Sequence, residues 1–169
     1  MTAKNFRNPE SYQLRPIGYV HASETDGSYF LQIEEPYRPA LKEMDQFSHV
    51  LVFWWADQMD TREHRQIMTT ELPYAPGLEA GVFACRSEYR PNPIAMSTLM
   101  VLDVDVENGI VVLPWIDAFD GTPVLDLKPY IPVSDRVRDY RVAEWLADWP
   151  AWMEDAAEYF AEQATDFGD

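Results

Sequence analysis

Cysteine is nearly absent from this 169-residue chain, in which Cys85 stands alone. A single cysteine excludes an intramolecular disulfide and a thiolate metal site. The sequence also lacks an apolar run approaching the roughly 20 residues that span a bilayer, and its first ten residues lack the apolar stretch of a secretory signal. We therefore expect a cytoplasmic protein with no membrane-spanning segment.

Basic residues are scarce as well, with 13 Lys and Arg against 29 Asp and Glu and a formal net charge of -16. Nucleic-acid binding usually requires a basic footprint that releases counterions from phosphates. Such a footprint would have to be local here, so the charge disfavours a nucleic-acid partner. Residues 135–169 carry much of the excess, with ten acidic residues and three arginines.

Apolar and aromatic residues are plentiful, at 47% and 14% of the chain, which is typical of a globular protein. The pattern predicts a mostly β domain over residues 1–134 and an acidic, Trp-rich helical extension over 135–169. Short strands without helices between them favour an antiparallel sheet that closes into a barrel or sandwich. Five strands are predicted, over Pro16–His21, Phe47–Trp55, Gly81–Cys85, Met96–Val106 and Ile110–Ile116.

The connections carry their own signals. The Asn-Gly pair before Ile110 predicts a hairpin with a type I′ turn, and Phe47–Trp55 is apolar enough for a central strand buried on both faces. Asp57–Ala80 and Asp117–Pro132 are predicted to be long loops. Helical spacing runs from Ser134 to Phe167, where Pro150 should separate two helices.

Two Pro-rich loops carry the polar chemistry. In the first, residues 86–95, Arg86 and Arg90 can each fork onto a carboxylate or phosphate, and Asn92 offers a donor and an acceptor. In the second, Asp126 and Lys128 are two residues apart and would share a face in extended chain. Each loop taken alone is more simply a salt-bridged turn. Together they favour a small-ligand site at one end of a barrel.

The sequence GVFACRSEYRPNPIAMS followed by DAFDGTPVLDLKPYIP resembles the paired signature of the TrmO family, also called TsaA-like or YaeB-like. FSHVLVFWW and PIGYVHAS resemble two weaker motifs of that family. The resemblance implies a small antiparallel β-barrel and an S-adenosylmethionine-dependent methyltransferase that N6-methylates threonylcarbamoyladenosine in the tRNA anticodon loop. It also implies a homodimer with cofactor near the subunit interface, and no metal.

Carried over position by position, the resemblance also assigns site residues. Candidates for the acceptor side and catalysis are Arg90, Asn92 and Tyr130. Asp57 and Ala95 replace the family's usual His and Gly. Two other readings stay open: a small-metabolite acceptor, or a non-catalytic protein that binds the cofactor. The implied cofactor contacts are Asp57, Gln58, Arg86, Thr98, Asp126, Leu127, Lys128 and Pro129.

Overall fold

The computed structural model describes residues 12–166, in which nine strands form a seven-stranded antiparallel sheet and a separate hairpin. The order in the sheet is β6-β3-β9-β1-β2-β8-β7, and β4 pairs with β5. The strands are β1 Gly18–Ser23, β2 Ser28–Ile33, β3 His49–Trp55, β4 Thr69–Leu72, β5 Ala75–Gly81, β6 Ile94–Met100, β7 Asp103–Asp105, β8 Ile110–Leu113 and β9 Pro123–Pro129.

The predicted mostly β, antiparallel class is confirmed, but the sheet does not close into a barrel. Its outer strands β6 and β7 form no ladder with each other, although only Val101 and Leu102 separate them in sequence. There the chain changes partner, because the Val101 amide donates to the Ser48 carbonyl and the Leu102 amide donates to the Val112 carbonyl. The sheet must curl to bring its two edges this close together.

Helical structure is short and lies mostly near the C-terminus. The chain divides after Asp135 into two compact units. The predicted division at Pro150 does not give two α-helices: in the part of the second unit that the structure describes, a 3-10 turn, Glu144–Leu146, precedes Pro150 and one α-helix, Ala156–Asp166, follows it. No described helix is long and apolar enough to cross a membrane. The α-helices are α1 Pro132–Asp135 and α2 Ala156–Asp166, and the 3-10 turns are Glu35–Leu41, Met44–Gln46, Asp57–Met59, His64–Gln66, Glu144–Leu146 and Met153–Asp155.

The core lies on one face of the sheet. Val50 and Val52 of β3 are fully buried there, while the intervening His49, Leu51 and Phe53 are only half-buried. The prediction that β3 is buried on both faces is therefore wrong, since its second face is partly open. The buried cluster comprises Val20, Leu31, Ile33, Leu41, Met44, Val50, Val52, Leu99, Val111, Leu113, Ile116 and Val124.

Several predicted boundaries differ from the structure. Strand β2 was not predicted, residues 57–80 contain the hairpin of β4 and β5, and the predicted second loop contains β9. Of the predicted strand Gly81–Cys85, only Gly81 lies in a strand, as the last residue of β5. The residues after it form a turn, in which the Ala84 amide donates to the Gly81 carbonyl at 2.7 Å. Phe83 in this turn is 79% exposed.

The predicted hairpin between β7 and β8 is confirmed, but its turn is not type I′. Four residues, 106–109, join the strands. Of the two residues that a type I′ turn would place at positive φ, Gly109 has φ +73° and Asn108 does not. The Asp105 carboxylate instead accepts hydrogen bonds from the backbone and side-chain nitrogens of Asn108 at 3.0 and 2.7 Å.

Replacing Gly109 with alanine should lower the free energy of unfolding by at least about 2 kcal/mol. Positive φ strains an L residue, and the added Cβ would lie 2.5 Å from the Ile33 carbonyl oxygen and 2.8 Å from Arg38 Cγ. Gly27→Ala is the matched control, because φ is +68° there with nothing within 4 Å. Urea unfolding of both variants should give the larger loss for Gly109→Ala. Equal losses would show that the close contacts do not matter.

Candidate functional site

Three of the predicted cofactor residues meet on the open face of the sheet. Strand β3 lies between β6 and β9, and Leu51 is paired with Thr98 on one side and with Lys128 on the other. Two residues further along β3, Phe53 is paired with Asp126 of β9. Directly paired residues project from the same face of a sheet, so these five side chains share one surface. We call Leu51, Phe53, Thr98, Asp126 and Lys128 the strand face.

An ion pair lies at the centre of the strand face. Lys128 Nζ donates to Asp126 Oδ2 and lies 5.7 Å from the centre of the Phe53 ring. The two charged side chains are 59% and 51% exposed, so water screens the pair and it adds little to stability. Asp126 Oδ1 accepts the Leu127 amide at 2.9 Å. Each oxygen keeps a free lone pair for a further donor.

The remaining two residues of the predicted β9 contact set point away from the strand face. Leu127 is paired with Val52 and Pro129 with Val50, both fully buried. Leu127 packs against the hydrophobic core. Their side chains therefore face the core, and only their backbone atoms are available to a ligand on the strand face.

A second group of predicted residues lies in the loops that follow β3 and precede β6. Asp57 and Gln58 are exposed in a 3-10 turn, and Asn92 is exposed in the Pro-rich loop. The two loops are joined by the Ala56 amide, which donates to the Pro93 carbonyl at 2.8 Å. We call residues 56–66 and 86–93 the loop end of the site.

The two arginines of the Pro-rich loop differ in their surroundings. Arg90 folds back on its own loop, where Nη1 donates to the carbonyls of Ser87 and Cys85 at 3.1 and 3.5 Å. Its guanidinium also lies 5.9 Å from the centre of the Phe83 ring. Arg86 is exposed and forms no hydrogen bond or ion pair within residues 12–166. Arg86 is thus the more available of the two to an anionic ligand.

Tyr130 lies at the other end of β3. Its amide donates to the His49 carbonyl at 3.0 Å and its ring meets the His49 ring edge-on at 6.2 Å. Asn92 is close to Trp55, since Ile94 is the strand partner of Trp55. The run from His49 to Trp55 is about 20 Å long. One chain therefore does not bring Tyr130 and Asn92 together.

One polar cluster of the loop end was not predicted. The Asp60 carboxylate accepts the Trp55 indole N–H at 3.0 Å and a hydrogen bond from Arg65 Nε. Arg65 also donates from Nη1 to the Pro91 carbonyl at 3.1 Å, and its guanidinium lies 5.5 Å from the Trp55 ring. The sequence gives only a run of charges here, without a sign of which charges pair.

The Arg65 hydrogen bond lowers the pKa of Asp60 below its ordinary value, outweighing the effect of partial burial. A carboxyl with a lowered folded-state pKa stabilises the fold above its unfolded pKa of about 3.9, and that contribution is lost as pH falls through the folded value. Asp60→Asn should therefore destabilise the protein most at neutral pH. Urea unfolding from about pH 7 to pH 2 should show the difference from wild type shrinking with acidification. A constant difference would contradict the ionic origin.

Fold and site together describe an antiparallel β protein with exposed polar side chains on the open face of three strands. Comparison with known families makes the class specific. Residues 16–136 match the tRNA-methyltransferase O N-terminal domain family, TrmO_N. The chain belongs to this family.

The relatives include proteins of different lengths. An S-adenosyl-L-methionine-binding protein of Archaeoglobus fulgidus is 34% identical over 73% of this chain and 93% of its own length. A probable S-adenosyl-L-methionine-binding protein of the same organism is 32% identical over 75% of this chain but 30% of its own length. The tRNA (adenine(37)-N6)-methyltransferase of Escherichia coli is 36% identical over 64% of this chain and 48% of its own length. The chain thus spans less than half of the length of each of the last two relatives.

Solved structures agree with the family assignment. The crystal structure of TrmO from Pseudomonas aeruginosa superimposes with a TM-score of 0.62 and 27% sequence identity, covering 91% of this chain and 76% of that chain. The likeness extends beyond the family-matched region, because the superposition covers more of the chain than residues 16–136.

Proposed function

We propose that the protein is an S-adenosylmethionine-dependent methyltransferase that N6-methylates threonylcarbamoyladenosine in the tRNA anticodon loop. The observation that carries the proposal is the register that gathers Thr98, Asp126 and Lys128 on the strand face. The relatives named for S-adenosylmethionine binding and for tRNA adenine methylation support the same reaction.

The strand face offers chemistry that fits the cofactor. Lys128 suits the cofactor carboxylate, and Asp126 suits its ammonium or ribose hydroxyls, since both of its oxygens keep free lone pairs. Phe53 offers an aromatic face to a cation such as the sulfonium. Bound S-adenosylmethionine would supply an electrophilic methyl group. The backbone of Leu127 and Pro129, together with Asp57, Gln58 and Arg86, would complete the contacts.

The loop end is proposed to hold the acceptor base. The exposed Asn92 amide has a carbonyl that can accept a hydrogen bond from N6–H and an NH₂ that can donate to a ring nitrogen. Methyl transfer would form a carbon–nitrogen bond at N6, break the methyl–sulfur bond so that a neutral thioether leaves, and release the N6 proton to solvent. The part of the protein is mainly to orient the base and to desolvate the reacting atoms. Arg90 would contribute indirectly, because its hydrogen bonds to the Ser87 and Cys85 carbonyls hold the conformation of the Pro-rich loop.

We also propose a homodimer of domains spanning residues 1–134, with residues 135–169 as an acidic extension. Asn92 and Tyr130 lie at opposite ends of β3, so a second subunit is needed for both to border one acceptor. Exposed apolar residues beside the strand face, Ile94 at 39% and Met100 at 46%, suit such an interface. A tRNA substrate would place the protein in the cytoplasm.

The direct test incubates the protein with S-adenosylmethionine and tRNA that carries unmethylated threonylcarbamoyladenosine. Nucleoside mass spectrometry should detect the N6-methylated nucleoside, and omission of cofactor should abolish it. Unchanged tRNA at saturating cofactor would refute the proposed acceptor.

A second candidate, a protein that binds S-adenosylmethionine and either methylates a small metabolite or has no turnover, is favoured by two observations. The net charge of -16 opposes polyanion binding. The Archaeoglobus fulgidus relative of which this chain covers 93% is named for cofactor binding alone. A gel shift at low salt discriminates, because this candidate predicts cofactor binding without tRNA binding.

A further inference from the structure

The geometry points to Arg65 as a positioning residue that holds the Pro-rich loop, and with it Asn92, against the end of β3. This inference rests on the proposed function, because Asn92 is there the residue that orients the acceptor base. Nothing in the sequence pattern of the two loops singled out Arg65.

Arg65 connects three separate segments of the chain. Its Nε donates to the Asp60 carboxylate in the connection after β3, its Nη1 donates to the Pro91 carbonyl at 3.1 Å, and its guanidinium lies 5.5 Å from the Trp55 ring at the end of β3. The planar fork of an arginine makes these contacts simultaneously, whereas a lysine ammonium is a single point.

Asp60 fixes the orientation of the Arg65 guanidinium. One of its oxygens accepts from Arg65, and the other accepts the Trp55 indole N–H at 3.0 Å. Trp55 is the last residue of β3 and is paired with Ile94 of β6. Through Asp60, the guanidinium is therefore held to the sheet itself, and the Pro91 carbonyl is held to the guanidinium.

Asn92 lies between two restrained carbonyls. Arg65 binds the carbonyl of Pro91, and the Ala56 amide binds the carbonyl of Pro93 at 2.8 Å. The Ile94 amide donates a hydrogen bond to the carbonyl of Asn92 itself at 2.7 Å. Three successive carbonyls are thus fixed while the Asn92 side chain stays exposed. That arrangement preorganises one exposed amide, as orientation of a reacting base requires.

A further contact also connects the 56–66 segment to the Pro-rich loop. The His64 ring lies 4.7 Å from the Tyr89 ring, so the residue before Arg65 also touches the Pro-rich loop. His64 Nδ1 lies 3.2 Å from the Met59 carbonyl oxygen, which keeps that ring in place. The 56–66 segment therefore contacts the Pro-rich loop at three points, through Ala56, His64 and Arg65.

The test compares Arg65→Lys with Arg15→Lys. Lysine at position 65 keeps the positive charge that pairs with Asp60. Its single ammonium group cannot also donate to the Pro91 carbonyl, as the second nitrogen of the arginine does. Arg15 is exposed, lies outside the strand face and the loop end, and forms no ion pair or hydrogen bond within residues 12–166, which makes it the matched control. Thermal unfolding of both variants first establishes that they fold.

For Arg65→Lys we expect kcat for tRNA methylation to fall at least about tenfold. The Kd for S-adenosylmethionine should stay within about threefold of wild type, because the strand face is untouched. Amide exchange of Ala56, Tyr89 and Ile94, whose acceptors lie in the Pro-rich loop, should quicken at least about tenfold. Arg15→Lys should change none of these.

Each result decides something different. Unchanged amide exchange in Arg65→Lys, or faster exchange with unchanged kcat, would overturn the positioning role. A fall in kcat together with a matching loss of cofactor binding would also overturn it, since it would indicate general damage to the site. A wild-type protein that binds cofactor but methylates no tRNA would refute the proposed function instead, whatever the exchange of the variant.

Discussion

Replacing Lys128 with alanine is expected to weaken S-adenosylmethionine binding by roughly 10- to 100-fold. A hydrogen bond to a charged group contributes about 1.5–3 kcal/mol, which corresponds to this range of affinity. The loss is enhanced by Asp126, whose carboxylate would be left without the ammonium that now pairs with it. An uncompensated carboxylate on the strand face would then repel the carboxylate of the cofactor. Isothermal titration calorimetry measures the change directly.

Lys42 provides the matched control for this substitution. Its side chain is exposed and has no ion pair within the described chain, and it lies outside the strand face. Lys42→Ala should therefore bind cofactor as wild type does. Equal affinities for wild type and Lys128→Ala would exclude the strand face as the cofactor site.

Replacing Asn92 with alanine is expected to lower kcat for tRNA methylation about 100-fold, with little change in cofactor affinity. The amide is exposed on a backbone whose carbonyls are held on both sides, so its truncation leaves the fold intact and removes the group that orients the base. Loss of orientation in a group-transfer reaction costs on the order of 10²-fold in rate. Single-turnover methylation with saturating cofactor isolates this step.

Tyr130→Phe discriminates between one-chain and two-chain sites. Tyr130 is about 20 Å from Asn92 along β3, so in a one-chain site its hydroxyl is distant from the acceptor. In the proposed homodimer the hydroxyl borders the acceptor from the partner subunit, and its loss should lower kcat. A fall in kcat for Asn92→Ala alone would favour a one-chain site, and no fall for either variant would contradict the acceptor side proposed above.

The sequence predicted the class of fold better than the position of its strands. A nearly continuous run of apolar, β-branched and aromatic residues predicted β3, and an Asn-Gly pair predicted the β7–β8 hairpin. Strand β9 was predicted as loop because residues 117–132, which contain it, are rich in Pro, Asp and Gly. Pro123 and Pro129 occupy its two ends, so the residues between them can still pair with β3. Strand β2 was not predicted, because it is short and is followed closely by Pro36 and Pro39, which break regular structure.

The spacing of Asp126 and Lys128 correctly predicted a shared face, since side chains alternate along a strand. The same alternation turns Leu127 and Pro129 toward the core, which follows only once β9 is recognised as a strand. The cluster of Trp55, Asp60 and Arg65 was not predictable, because the path of an irregular connection decides which charges meet. Pairings of this kind depend on the folded chain and leave no periodic signal.

Calorimetric titration of the wild-type protein with S-adenosylmethionine tests the central claim most directly. The proposed function predicts saturable binding with one cofactor per chain and a Kd below about 1 mM, lost or strongly weakened in Lys128→Ala and retained in Lys42→Ala. Absence of binding at millimolar cofactor would contradict the account.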